Sequence, residues 1–312
     1  MPENIAASTP LVRAQRAGDQ KSAATTLRSE ERRDARLLLS GLCLFLVIML
    51  GFPALANLWY SVSDVTFQTI RDANFIGLDN FAAQITSAKL WQAMGFSLQF
   101  ALICTGLEVG LALLLVLALH PLLLKHPWLT AFLMLPMMIS PALMGVMYRL
   151  VLNEFVGLVP LYLEVVGVYV NFLGPENVYA TVVAIEVLQW TPFAFLILLT
   201  ARQAIPSAIE EAAGIDGVRG WQMIWFIELP MMKPAIVIAA FIRFIDSFRV
   251  FDHIFVLTGG GPGNKTTSIS IYIYKLFFNQ NALGEAVAVS IILLLMAVAL
   301  LYAAMRLILR EA

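Results

Sequence analysis

The hydrophobic pattern of the chain comes in long blocks rather than short alternations. No charged residue occurs from Leu37 to Ser63, from His126 to Tyr148, or from Ala286 to Met305. A helix rises 1.5 Å per residue, so about 20 apolar residues cross the ~30 Å hydrocarbon core of a bilayer. Three further apolar runs carry isolated polar residues. Together the blocks predict six spans, at about 37–59, 93–119, 127–149, 178–201, 234–257 and 285–306. The expected fold class is all-α: a polytopic transmembrane helical bundle occupying 37–308. Residues 1–36 are polar and rich in Ala, Arg, Ser and Glu, and they read as a disordered cytoplasmic tail.

Composition agrees with that pattern. Sixty per cent of the 312 residues are hydrophobic and 13% are charged, against ~25% charged in an average soluble domain. A disordered chain, a disulfide scaffold and an ordinary soluble enzyme are excluded. The formal net charge of −1 gives no attraction to nucleic acid. Cys43 and Cys104 lie in apolar runs and read as small buried hydrophobes. His120, His126 and His253 show no metal-binding spacing with them, so no metal site is expected. Ala54-Leu55-Ala56 mimics a signal cleavage site, but the apolar run is too long for one, which predicts an uncleaved anchor.

The basic residues set the orientation. With six spans, both termini share one side with Arg13, Arg16, Lys21, Arg28, Arg32, Arg33 and Arg36, and with Lys125, Arg202, Arg219, Lys233, Arg306 and Arg310. The opposite side holds only Arg71, Lys89, Arg149, Lys265 and Lys275. The positive-inside rule therefore places both termini in the cytoplasm.

Two spans carry polar faces. The fifth holds Arg243, Asp246, Arg249, Asp252 and His253. A charge at mid-bilayer costs at least ~2.5 kcal/mol on insertion scales, so these groups must pair or meet water. At helical spacing Arg243, Asp246, Ser247, Val250 and His253 share one face, and Arg243–Asp246 and Asp246–Arg249 are spaced for pairing. His253 by itself reads as a satisfied interfacial side chain. In the fourth span Glu186, Gln189 and Trp190 share a side just before Pro192. Each face reads either as a structural tie between helices or as the wall of a polar path.

The loop 203–233 is built as a connector. Ser207 and Glu210 have the spacing of a capping box after Pro206, predicting a helix over about 208–216 ended by Gly217. A short apolar segment, Trp221 to Ile227, leads to Leu229-Pro230, where a bend is expected. On residue physics alone this is an amphipathic elbow at the membrane surface.

The residues in the loop also carry a resemblance. Glu211-Ala212-Ala213, then Asp216-Gly217, then Ile227, Leu229 and Pro230 match the EAA motif of bacterial importer permeases driven by ATP-binding cassettes, with Val218 and Ile224 as minor departures. Phe75 to Phe81 resembles the external F-x-G-L-D-N-F segment of the carbohydrate branch, and Leu257 to Gly263 resembles its L-T-x-G-G-P stretch. The chain is thus similar, over roughly 37–308, to the upstream-type permease of a carbohydrate importer, of the maltose and glycerol-phosphate kind. The resemblance implies a multi-pass subunit of the bacterial inner membrane that is not itself an enzyme. It implies a second homologous permease, two ATPase subunits, a periplasmic or extracellular solute-binding protein, and a sugar or polyol substrate. No cofactor is expected on this chain, since ATP and Mg²⁺ belong to the ATPases. Glu211, Ala212, Ala213, Asp216, Gly217, Ile227, Leu229 and Pro230 would form the ATPase-coupling segment.

The same resemblance bears on the polar faces. With Pro192 and Pro206 as anchors, Glu186, Gln189 and Trp190 match substrate-facing positions. With Gly260-Gly261-Pro262 as anchor, Arg243, Ser247 and Val250 match too, and Met137 is a weaker match. Asp246 is added by the helical face. A carboxylate or amide for hydroxyls and an aromatic ring for C–H faces suit a sugar.

Two other classes compete. An ion-coupled secondary transporter could use Asp246 and Arg249 as a proton relay, but the chain shows no repeat halves. A membrane-embedded enzyme would need a catalytic cluster, and none is found. Gly259 to Thr266 imitates a phosphate loop, yet Asn264 stands where its second glycine belongs.

Overall fold

The computed structural model describes residues 39–218 and 220–311. The tail 1–36 and the first two residues of the first expected span lie outside the described residues. The chain divides into two units, one ending at Ser61 and the other starting at Val62.

The first unit contributes one helix, α1 (Leu39–Ser61), with mean hydropathy 2.3 over its most apolar stretch. A π-helical turn at Val47–Gly51 precedes Pro53. The wider turn accommodates a ring that would clash with the preceding carbonyls of a regular helix.

The second unit opens with a two-residue antiparallel ladder, β1 (Ser63–Asp64) against β2 (Asn74–Phe75), with Ser63 opposite Phe75. A short helix α2 (Asp79–Ile85) leads into α3 (Ala88–Lys125), the longest element at 38 residues. Next come α4 (Trp128–Met138) and α5 (Pro141–Val151), bent by 81° to each other. The third apolar block is therefore two helices, not one rod. Pro136 and Pro141 bracket the break, and each removes a backbone donor that a continuous helix would use.

After α6 (Leu158–Val165) come α7 (Val178–Gln203) and α8 (Ser207–Ile215). A turn at Trp221–Met223 and a π-helical turn at Ile224–Glu228 lead into α9 (Leu229–Phe248). The bend expected at Leu229-Pro230 does not occur. Pro230 lies in the first turn of α9, where a residue without an N–H is tolerated, and the π-turn before it ends with the Leu229 N–H donating to the Ile224 carbonyl. Then follow α10 (Asp252–Thr258), α11 (Ile269–Tyr274), which runs on in a π-turn at Lys275–Asn279, and α12 (Leu283–Glu311). Four of these helices are long and apolar enough to cross a membrane, or five if α4 and α5 form one span. The apolar part of α12 is shorter, Leu283–Ala299.

Helix α3 is the axis of the packing. Phe100 and Cys104 join Val182 and Ile185 of α7 and Ile254 of α10 in one core. Ala112 and Val116 meet Phe195 and Leu198 of α7 and Met232 and Ala239 of α9 in a second. Leu90 and Ala101 meet Ile269 and Tyr272 of α11 and Val289 of α12 in a third. Between α5 and α10 the approach is closer still. A Cβ on Gly145 would stand 2.9 Å from the His253 carbonyl oxygen and 3.0 Å from Val256 Cβ. Small residues permit such contacts between apolar helices.

Candidate functional site

Where α3, α7 and α9 meet, the apolar packing is interrupted by charge. Arg243 is fully buried, and so are Glu108 and Ser247, with Glu186 at 2% exposure. Arg243 Nε donates to Glu108 Oε2 at 2.6 Å, and Nη2 donates to Glu108 Oε1 at 3.2 Å. The same Nη2 donates to Glu186 Oε1 at 2.9 Å and to Ser247 Oγ at 3.2 Å. Ser247 Oγ in turn donates to Glu186 Oε1 at 3.1 Å. The planar guanidinium thus ties three helices through one side chain, a role its rigid fork of donors suits.

The cluster opens into a cavity of about 360 Å³ lined by Glu186, Trp190, Arg243, Asp246, Val250 and His253, together with Pro141, Arg249, Phe251 and Asp252. The Trp190 ring faces the guanidinium of Arg243, 4.7 Å from centroid to Cζ. At the mouth Arg249 Nη2 donates to Asp246 Oδ1 at 2.8 Å. Asp246 also stands 3.7 Å from Arg243 Nη1.

The helical face drawn from the sequence is only partly helical. Helix α9 ends at Phe248, and Val250 and His253 reach the cavity through the break before α10. Ser268 Oγ holds that break by donating to the Val250 carbonyl at 2.6 Å. His253 differs from the satisfied side chain expected of it. It is buried, its Nε2 is 3.5 Å from Glu186 Oε2, and neither atom has a hydrogen-bond partner.

Of the sequence candidates, Glu186, Trp190, Arg243, Asp246 and Val250 line one cavity, and Ser247 is bonded to it. Gln189 turns instead to the broken span: its Nε2 donates to the Ile139 carbonyl at 2.9 Å, and Oε1 is buried without a partner. Met137 sits in the turn Leu135–Met138 and is not among the lining residues. Glu108 is the residue that sequence reasoning left without a role. Its signal was a single carboxylate in a long apolar run, which by default marks a functional position. Among the described residues, no group of three or more His, Cys, Asp or Glu could hold a metal ion.

The connector lies at the far ends of the cavity helices. Helix α8 has one buried residue, Ala213, while Glu211 and Ala212 are exposed. Its C-terminus closes in the double-bonded left-handed motif. Val218 N–H donates to the Ala213 carbonyl at 2.9 Å, Gly217 N–H to the Gly214 carbonyl at 3.2 Å, and Gly217 has φ +80°. The capping box does not form: Pro206 is the N-cap and no side chain caps the helix. Glu210 pairs with Arg202 at the end of α7 instead.

On the other side, the glycine-rich loop after α10 is a compact knot. Thr258 Oγ1 and Thr266 Oγ1 are 2.8 Å apart, and Thr267 Oγ1 donates to the Gly260 carbonyl at 2.9 Å. Lys275 Nζ donates to Asn264 Oδ1 and Thr267 Oγ1, and burial holds its ammonium below the usual lysine range.

Residues 40–311 match the family model described as the binding-protein-dependent transport system inner membrane component. The chain is 34% identical over 269 residues to the trehalose/maltose transport system permease protein MalF of Thermococcus litoralis, covering 85% of this chain and 90% of the relative. It is 31% identical to the multiple sugar-binding transport system permease protein MsmF of Streptococcus mutans, covering 79% and 85%. Its fold matches a chain of a bacterial ABC transporter that imports the acidic polysaccharide alginate, with TM-score 0.74 at 23% identity, over 90% of this chain and 98% of that one. A helical bundle with several membrane-length apolar helices, a buried charged cavity and an exposed connector helix is thus accounted for: this chain belongs to the binding-protein-dependent transport system inner membrane component family, and is a multi-pass transport permease rather than an enzyme.

Proposed function

We propose that the chain is one of two permease subunits of an ATP-driven importer for a sugar or polyol in the bacterial inner membrane. It crosses the bilayer six times with both termini in the cytoplasm, α4 and α5 serving as one broken span and α12 as the last. The cavity of Glu186, Trp190, Arg243 and Asp246 is part of the translocation path, with Ser247 and Val250 at its wall. Glu186 and Asp246 offer acceptors to hydroxyls and Trp190 a face to C–H groups. Gln189, bonded to the broken span, and Met137, within it, are included in the path on the resemblance. The partners are a second homologous permease, two ATPases that carry ATP and Mg²⁺, and an external solute-binding protein.

One observation carries this reading. The two long helices that build the cavity, α7 and α9, are joined by a short helix that exposes Glu211 and Ala212. Glu211 would meet a basic or polar group in a cleft of the ATPase. Ala212 is small enough for deep seating, Ala213 packs the helix onto its own chain, and Asp216-Gly217 and Ile227-x-Leu229-Pro230 fix the exit of the segment.

The test is affinity isolation of the complex, comparing wild type with Glu211→Ala and Gly217→Pro. An ATPase that co-purifies with wild type and is lost or uncoupled in the variants is the expected result. No ATPase in the wild-type complex, with normal transport by both variants, would overturn the reading. It would leave an ion-coupled secondary transporter in its place.

A further inference from the structure

Helix α8 is poorly anchored for a part that must transmit force. Of its nine residues only Ala213 is buried. Its joints are short non-helical stretches. Ala204 to Pro206, with Ile205 buried, connects it to α7, and the stretch to α9 contains Gly217 at φ +80° and Gly220 at φ +55°. A helix with one buried residue needs a side-chain tie to pass a push to both of its neighbours.

One side chain spans the gap. Arg202, in the last turn of α7 and 8% exposed, donates through Nη1 to Glu210 of α8 and through Nη2 to Glu228 Oε1 at 2.8 Å. Glu228 is 6% exposed and sits in the π-turn that opens α9. Both carboxylates are held by the two ends of one planar group, so the three elements are fixed to one another. The brace is well placed along the helices. Arg202 lies about 24 Å from Glu186 along α7, and Glu228 about 22 Å from Arg243 along α9, by helix rise.

We propose that Arg202 is the positioning residue of the coupling stroke: by gripping Glu210 and Glu228 together it makes α8, α7 and α9 move as one piece. It touches neither ATPase nor substrate. Displacement of α8 then reaches both walls of the cavity at once. The inference rests on the reading of α8 as the coupling helix.

The test uses the whole importer complex in lipid nanodiscs, with and without ATP, Mg²⁺ and vanadate to trap the ATPases. Hydrogen–deuterium exchange is read in peptides covering α8 and in peptides covering Glu186 and Arg243. Two variants are compared with wild type. Arg202→Met removes the brace. Arg202→Met with Glu228→Leu removes it without leaving a buried carboxylate unpaired, so the pair separates loss of the brace from loss of folding. In wild type, trapping alters exchange in α8 and at the cavity. In both variants the ATPase still co-purifies and the change in α8 remains, but the change at the cavity is lost. A cavity response as large in the double variant as in wild type overturns the proposal, as does a wild-type cavity that never responds while α8 does. A wild-type α8 that is indifferent to trapping overturns the coupling reading itself.

Discussion

Arg243 reaches across from α9 to hold Glu108 of α3 through two hydrogen bonds, in a place where neither side chain meets solvent. The same guanidinium also holds Glu186, so one cation stands between two buried carboxylates. That asymmetry orders the consequences of mutation.

Arg243→Met leaves two facing carboxylates buried without their cation, which costs about 3–5 kcal/mol by analogy with other broken buried pairs. Glu108→Leu leaves Arg243 still paired with Glu186 and costs less. Thermal unfolding of the purified complex in detergent should rank Arg243→Met below Glu108→Leu, with Glu108→Leu/Arg243→Met above Arg243→Met alone. The reverse order would mean that the cluster holds water or counterions that carry its charge.

Gly145 marks the tightest contact between helices. A methyl group there meets the backbone of His253 and the Cβ of Val256, both on α10, and neither can step aside as a flexible side-chain tip would. Gly145→Ala should destabilise by about 1–3 kcal/mol and displace His253 from Glu186. Both effects are open to measurement, by melting temperature and by the histidine NMR signal.

Gly217 is a cleaner case, because nothing stands within 4 Å of an added Cβ. Only the left-handed backbone resists the change. Gly217→Ala should cost about 1 kcal/mol, and Gly217→Asn less, since asparagine tolerates that conformation. Pull-down of the ATPase should weaken in the same order.

Trp190 has two roles that substitution can part. Its face over Arg243 contributes about 1 kcal/mol to the cluster, and it is also the aromatic wall of the proposed path. Trp190→Ala should raise the half-saturating substrate concentration, while Trp190→Phe keeps the wall and shifts it less. Equal loss in both variants would assign the residue to packing alone.

Four of the six expected spans, or five with the broken one, were legible in the sequence because a long, largely uncharged apolar run has few alternatives to a membrane helix. The break in the third block was not assigned. The block from His126 to Tyr148 is uncharged and reads as one span, although Pro136 and Pro141 stand within it and bracket the place where the two helices part. The cavity was legible on α7 and α9, whose polar residues recur at helical spacing. Glu108 was not assigned, because its partner Arg243 lies 135 positions away and pairing over that distance leaves no local trace. Ser207 and Glu210 show the opposite failure, a correct local spacing overridden by tertiary contact. The N-cap is Pro206, which has no N–H to donate to a carboxylate, and Glu210 pairs with the charged guanidinium of Arg202 instead. In the connector the helix end at Gly217 was legible, since its left-handed backbone is governed by local geometry.

The break in the third apolar block has an electrical side. Helix α5 starts at Pro141, and Pro141 borders the same cavity as Glu186, Asp246 and Asp252. The N-terminal end of a helix presents about half a positive charge from its unpaired amides. This partial charge is part of the backbone. It neither gains nor loses a proton, and it requires no counterion to enter or leave. The carboxylates lining the cavity outnumber its arginines, and the start of α5 offsets part of that surplus with a field that pH does not change.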